Sequence, residues 1–190
     1  MASSRLPTLS PAEYTAEQRE AAEAFRALRG TDVFGPFEAL LHSPRLMTLA
    51  QSVGEYLRYH AGIGTTLSEF VILIVARAWS QDFEWHVHAP IAAKAGIRPA
   101  LIEAVRDGRR PAAMSEDEAT VYDFAAELLQ NKRVSDVAWS RAEVRFGKPA
   151  VVDLVGICGY YTFLAMQMTP VATRRPARIH CRAFPTSPRL

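Results

Sequence analysis

The stretch EFVILIVARAWSQDFEWHVH, residues Glu69–His88, sets ionisable side chains beside the most apolar run of the chain. Glu84 and His88 are four apart, so on a helix they share one face. Gln81 lies three before Glu84, on the same side. A carboxylate within reach of an imidazole fixes its tautomer and raises its pKa. Such a pair can carry a proton near neutral pH. Glu69, on the preceding segment, is placed to supply a second carboxylate that orients His88. The same i,i+4 spacing also suits a solvated surface pair, and spacing leaves both readings open. His86 lies about 200° round the helix from Glu84, at 100° per residue, and faces elsewhere. Glu84, His86 and His88 count as three potential metal ligands. Residues two apart on a helix point nearly opposite ways, however, and the His-Glu-x-x-His pattern is absent. No metal is expected.

Other polar groups fall around this cluster. Arg58 and Tyr59 end a helix before the Gly62/Gly64 turn. An arginine there either binds a carboxylate substrate or caps the helix C-terminus. Trp85 adjoins the cluster and is placed to wall a cavity. Tyr160 and Tyr161 either line a pocket or pack in the core. The substrate-facing candidates are thus Arg58, Tyr59, Gln81, Trp85 and Tyr160. His42 and His60 stand alone and read as capping or surface residues. Gly62-x-Gly64 lacks a third glycine and a preceding strand, so it signals no dinucleotide. The two cysteines, Cys158 and Cys181, form neither a disulfide framework nor a Cys-x-x-Cys pair.

The elements that must position these groups read as helices. Tyr14–Arg29 is rich in Ala, Glu and Arg, and Gly30 stops it. Gly35-Pro36 precedes a short segment, Phe37–His42. Ser43-Pro44 supplies an N-cap and a proline at the first helical position. Leu46, Leu49, Ala50, Val53, Tyr56 and Leu57 then recur with a 3.6-residue period. Thr66 or Ser68 is expected to cap a helix over Leu67–Trp79. Its run of β-branched and aromatic residues also fits a buried strand, but the helical neighbours favour helix. Ser80 is expected to cap the next helix, which reaches about Ala95 and contains Pro90. Arg98-Pro99, Ser115 with Glu118, Ser135 and Pro149 open four more. The fold class is all-α.

The 190 residues are 49% hydrophobic and 22% charged, a balance that excludes bulk disorder. Net charge is +2, yet five arginines and no acid lie beyond Val171, so the rest of the chain is mildly acidic. A basic nucleic-acid face is not expected. Leu154–Met168, about 15 residues, falls short of the roughly 20 needed to span a bilayer, so no membrane partner is expected. The N-terminus lacks a hydrophobic signal core, which reads as cytoplasmic. The chain divides into an N-terminal helical extension (1–33), a central domain (34–168) and a Pro/Arg-rich tail (169–190) expected to be disordered. The apolar surplus in Phe70–Ala76 and Leu154–Met168 exceeds what a small helical domain easily buries alone, which points to self-association.

At the Glu/His cluster the sequence resembles the carboxymuconolactone decarboxylase family, which includes the alkyl hydroperoxidase D-like proteins. GPFEALLHSP (Gly35–Pro44), GEYLRYHAGIG (Gly54–Gly64) and LSEFVILIVARAWSQDFEWHVHAPIAAKAG (Leu67–Gly96) carry the resemblance. DEATVYDFAAELL and GYYTFLAM look like later helices of the same domain. The resemblance covers residues 34–168 and implies an all-helical fold assembled as trimers, hexamers or related oligomers. In the peroxidase-like branch, a Glu, a Cys-x-x-Cys pair and a His form the motif. Glu69 and His88 match the Glu and the His, while Gln81 and Glu84 occupy the cysteine positions. Without thiolates, disulfide-linked peroxide reduction has no nucleophile. The decarboxylase branch has Glu-x-x-x-His, matched by Glu84 and His88. The resemblance therefore implies a cofactor-independent decarboxylase acting on a small carboxylated lactone of aromatic catabolism. His88 would deliver the proton, oriented by Glu84 or Glu69, and His86 or a tyrosine would stabilise the oxyanion. A catalytically silent oligomeric ligand-binding protein would use the same cavity.

Overall fold

A computed structural model describes residues 6–171. A 3-10 turn at Pro11–Glu13 leads into nine α-helices among the described residues. These are α1 (Ala16–Arg29), α2 (Pro36–Leu40), α3 (Pro44–Tyr59), α4 (Thr65–Ala78) and α5 (Asp82–Lys94). They continue with α6 (Pro99–Arg106), α7 (Glu116–Asn131), α8 (Asp136–Phe146) and α9 (Lys148–Val171). No strand occurs among the described residues.

Local signals set most of the helix ends. Thr15 and Ser115 each form a reciprocal capping box, with Gln18 and Glu118 respectively. Ser135 accepts from the Ala138 N–H and caps α8. Gly30 ends α1 in the left-handed conformation, φ 69°, where a Cβ would be disfavoured. Two caps differ from expectation. Gly64 rather than Thr66 precedes α4, and Ser68 lies buried inside that helix. Gln81 rather than Ser80 caps α5, because Ser80 itself takes a left-handed φ of 47° in the tight turn between α4 and α5.

Helix α4 is the centre of the molecule. It packs against α3, α5, α6, α7 and α9. Every residue from Ser68 to Ala76 is buried, which explains a sequence apolar on all faces. Burying each of Phe70, Ile72 and Leu73 contributes roughly 1.5–3 kcal/mol. Helix α1 joins the same core through Ala21 and Phe25.

Helix α9 corrects the expected length of its apolar segment. Lys148–Met168 is 21 residues of mean hydropathy 1.5, long and apolar enough to cross a bilayer. Half of that window is buried inside the domain. The run is longer than the sequence reading because Lys148 and Asp153 are carried within one continuous helix. Asp153 is spent internally, accepting from the Gly62 N–H at 2.8 Å and the Tyr56 hydroxyl at 3.1 Å. It thereby ties the turn before α4 to α9. The helix also runs to Val171, three residues into the segment assigned to the tail; residues 172–190 lie outside those described.

Helices α3 and α9 meet closely at Gly54. A Cβ built there would stand 2.3 Å from the Tyr160 hydroxyl and 2.6 Å from Cζ. Gly54→Ala is therefore expected to cost about 1–3 kcal/mol by overpacking, more than alanine's helix propensity returns. Urea denaturation checks this, and a variant as stable as the parent would show that the phenol moves freely.

Candidate active site

Three helices bring one side chain each to a buried point. Arg58 comes from the last turn of α3, Glu69 from the second turn of α4 and His88 from the middle of α5. The Arg58 Nε–H donates to Glu69 Oε1 at 2.7 Å. The other carboxylate oxygen, Oε2, lies 2.7 Å from His88 Nδ1. On the far edge of the ring, His88 Nε2 stands 3.4 Å from Glu84 Oε2. Glu69 is fully buried, and Glu84 and His88 are nearly so. The imidazole is thus held between two carboxylates, one from its own helix and one from the next. The second oxygen of Glu84, Oε1, is buried without a hydrogen-bond partner.

Aromatic residues of α9 close the site. The Tyr161 ring meets His88 edge to face, centroids 5.2 Å apart. Tyr160 packs on Tyr161 in the same manner at 5.3 Å. The Tyr160 hydroxyl is buried and unpartnered. Tyr160 also lines an open apolar groove of about 710 Å³ between α3 and α9, with Leu49, Val53, Tyr56, Val152 and Phe163.

Burial and charge oppose each other here. Burial would push the Glu69 carboxyl up, but its hydrogen bond to His88, the imidazolium charge and Arg58 hold it below the ordinary value of 4.5. Burial would lower His88, but Glu69 and Glu84 together raise it above the ordinary 6.5. Burial drives the Tyr161 phenol well above its usual range, reinforced by the nearby charge of Glu84. With His88 protonated, the cluster of two glutamates, Arg58 and His88 is neutral, the state a buried site favours.

These shifts fix the sign of a pH dependence. A raised histidine stabilises fully below its unfolded value and loses that contribution as pH rises through the folded one. A lowered glutamate contributes above its unfolded value and loses it as pH falls through the folded one. The cluster's contribution is therefore greatest between 4.5 and 6.5. Denaturation free energy is expected to decline above that window, and His88→Asn is expected to flatten the decline. Identical slopes in parent and variant would remove His88 as the titrating group.

The remaining candidates separate cleanly. Arg58 is spent on Glu69, and its guanidinium lies 5.1 Å from the Tyr59 ring. It thus positions a carboxylate of the protein, and is not open to one from solution. Tyr59 is exposed, at 46%. Gln81 accepts from the Phe83 N–H at 3.4 Å, so its side chain serves the start of α5. Trp85 is buried in the core. His86 is exposed, on a different side of α5 from Glu84 and His88, as the helical period requires. Among the described residues no group of three or more His, Cys, Asp or Glu side chains is arranged to hold a metal ion. Cys158 is buried on α9, its thiol pushed up to about 12 by desolvation.

Sequence reasoning missed the tie made by Asp153, for which a lone acid inside the apolar run of α9 is the available signal. No protein-family model matches the chain, and no curated protein matches it.

Proposed function

We propose that this protein is a cofactor-independent carboxy-lyase acting on a small carboxylated lactone, or a related compound of aromatic catabolism. One observation carries the reading: a buried imidazole held between Glu69 and Glu84, with one Glu84 oxygen left unpartnered. A surface pair would have neither burial nor a second carboxylate on the opposite ring edge. The resemblance of Leu67–Gly96 to the carboxymuconolactone decarboxylase family supports the same chemistry, and with it an alkyl hydroperoxidase D-like arrangement of the helices.

In the proposed reaction the C–C bond to the carboxylate breaks and CO2 leaves. The electron pair passes into the conjugated lactone carbonyl, giving a dienolate. His88 then delivers a proton to carbon and recovers it from solvent through Glu84. Glu69, anchored by Arg58, holds the ring in one orientation throughout. The substrate is its own electron sink, so the step calls for no organic cofactor. Peroxide reduction has poorer support: Gln81 and Glu84 stand at the thiol positions, and Cys158 has its thiol held protonated.

The exposed apolar residues Leu46, Leu49, Val53, Val152 and Val155 on α3 and α9 support assembly as a homo-oligomer, a trimer or hexamer by the family resemblance. A cytoplasmic location fits the same reading. A second reading, a catalytically silent ligand-binding protein, is favoured by the apolar lining of the α3–α9 groove.

The test is CO2 release from a panel of carboxylated lactones and small keto acids by the purified, metal-analysed protein. Release that survives chelation is expected. No release from a folded oligomer would shift the assignment to ligand binding.

A further inference from the structure

The segment before α1 closes a cavity of about 220 Å³ over α1 and α2. Tyr14, Ala22, Val33 and Leu41 give it apolar walls. Hydrogen bonds hold those walls in place. The His42 ring, through Nε2, lies 3.0 Å from the Pro7 carbonyl oxygen. The Arg19 guanidinium donates to the Tyr14 carbonyl at 3.1 Å, and the Gln18 amide donates to the Leu41 carbonyl at 3.3 Å. The cavity shares no residue with the Glu69/His88 cluster.

Three charged side chains line it: Arg26, Asp32 and Glu38. Arg26 and Asp32, both well exposed, satisfy each other, the Arg26 Nε–H donating to Asp32 Oδ1 at 2.9 Å. Glu38 is half-buried and makes no side-chain hydrogen bond or ion pair with any described residue. Burial alone pushes its carboxyl above the ordinary 4.5. Its place in the first turn of α2 offers only the dipole of a five-residue helix. One positive and two negative groups thus leave the cavity an uncompensated negative charge, located on Glu38.

The cavity is smaller than the roughly 300–1,000 Å³ of drug-sized sites, so its occupant is small. One free carboxylate makes a poor site for a divalent metal ion, which needs several oxygen ligands. Apolar walls suit a short carbon body instead, and an unpaired carboxylate suits an N–H cation. We propose that this cavity binds a small primary alkylamine as its ammonium ion, held by Glu38 and enclosed by Tyr14, Val33 and Leu41. The site stands independently of the carboxy-lyase reading. It gives the segment before α1 and the first turn of α2 a shared ligand.

Calorimetric titration of the full chain near neutral pH, with n-butylammonium chloride, n-butanol and butyrate, tests the site. At that pH the alkylamine is protonated. The parent is expected to bind n-butylammonium saturably, with a Kd of about 1 mM. n-Butanol, of the same length without the charge, is expected to bind about tenfold more weakly, and butyrate not at all. Glu38→Gln keeps the shape and is expected to weaken n-butylammonium about tenfold, to the level of n-butanol. Ala22→Leu fills the cavity and is expected to abolish binding of both. Absence of saturable n-butylammonium binding to the parent overturns the proposal. So does n-butanol or butyrate binding as tightly, or unchanged n-butylammonium affinity in Glu38→Gln or in Ala22→Leu. Should either variant fail to fold, the other variant and the three probes on the parent still decide.

Discussion

Replacing His88 with alanine is expected to lower turnover on an active lactone by about a thousandfold, within the range that general acid–base groups supply. The ring is the only group in the cluster with both nitrogens engaged by carboxylates, at 2.7 Å on Nδ1 and 3.4 Å on Nε2. The tighter contact to Glu69 orients the ring. In the proposed reaction the looser contact to Glu84 is the one that yields to substrate. Glu84→Gln keeps the shape and removes the charge that draws the proton back, so a loss of about a hundredfold is expected. The KM should change little in either variant, because the proposed reaction uses both groups in proton transfer rather than in binding. Steady-state rates of CO2 release measure both. If both variants turn over like the parent, the acid–base assignment is wrong.

The second large effect concerns stability. Glu69 is fully buried and serves two cations, Arg58 and His88. Removing one member of a buried charge pair typically costs about 3–5 kcal/mol, since the survivors keep their desolvation cost and lose their compensation. Glu69→Ala is expected to lie at the upper end, because it strands both Arg58 and His88 and leaves a cavity at a fully buried position. Glu69→Gln keeps the volume and one acceptor, and is expected to lose less. Urea unfolding at pH 6, inside the window where the cluster contributes most, gives the comparison. A Glu69→Ala variant within about 1 kcal/mol of the parent would mean that Arg58 and His88 find water once the carboxylate is gone.

Both effects depend on contacts that differ in how visible they are in the sequence. The Glu84–His88 relation is local, four residues on one helix, and the helical period is enough to see it. Ser115, Ser135 and Gly30 are equally local and mark their helix ends where expected. Ser80 shows how a local signal fails: serine fits a cap, yet the tight turn after α4 forces it into a left-handed φ and leaves the cap to Gln81. The Arg58–Glu69 pair joins two helices, and no periodicity in either says which acid an arginine at the end of α3 will meet. The strand alternative for Phe70–Ala76 was open because a segment buried on every side shows no period at all.

The connection between α4 and α5 has a consequence for how the chain can vary. Only Trp79, Ser80 and Gln81 separate the two helices. Trp79 is fastened to α9 by its indole N–H, which donates to Thr162 Oγ1 at 3.1 Å. The start of α5 therefore has no slack, and the azimuth of every side chain on it is set by the length of this turn. One inserted residue, if absorbed by winding α5 forward, would rotate its faces by about 100°. His88 would leave Glu69 and another side chain would take its place. The turn lies at the opposite end of α4 from Glu69, yet its residue count sets which side chain of α5 meets that carboxylate.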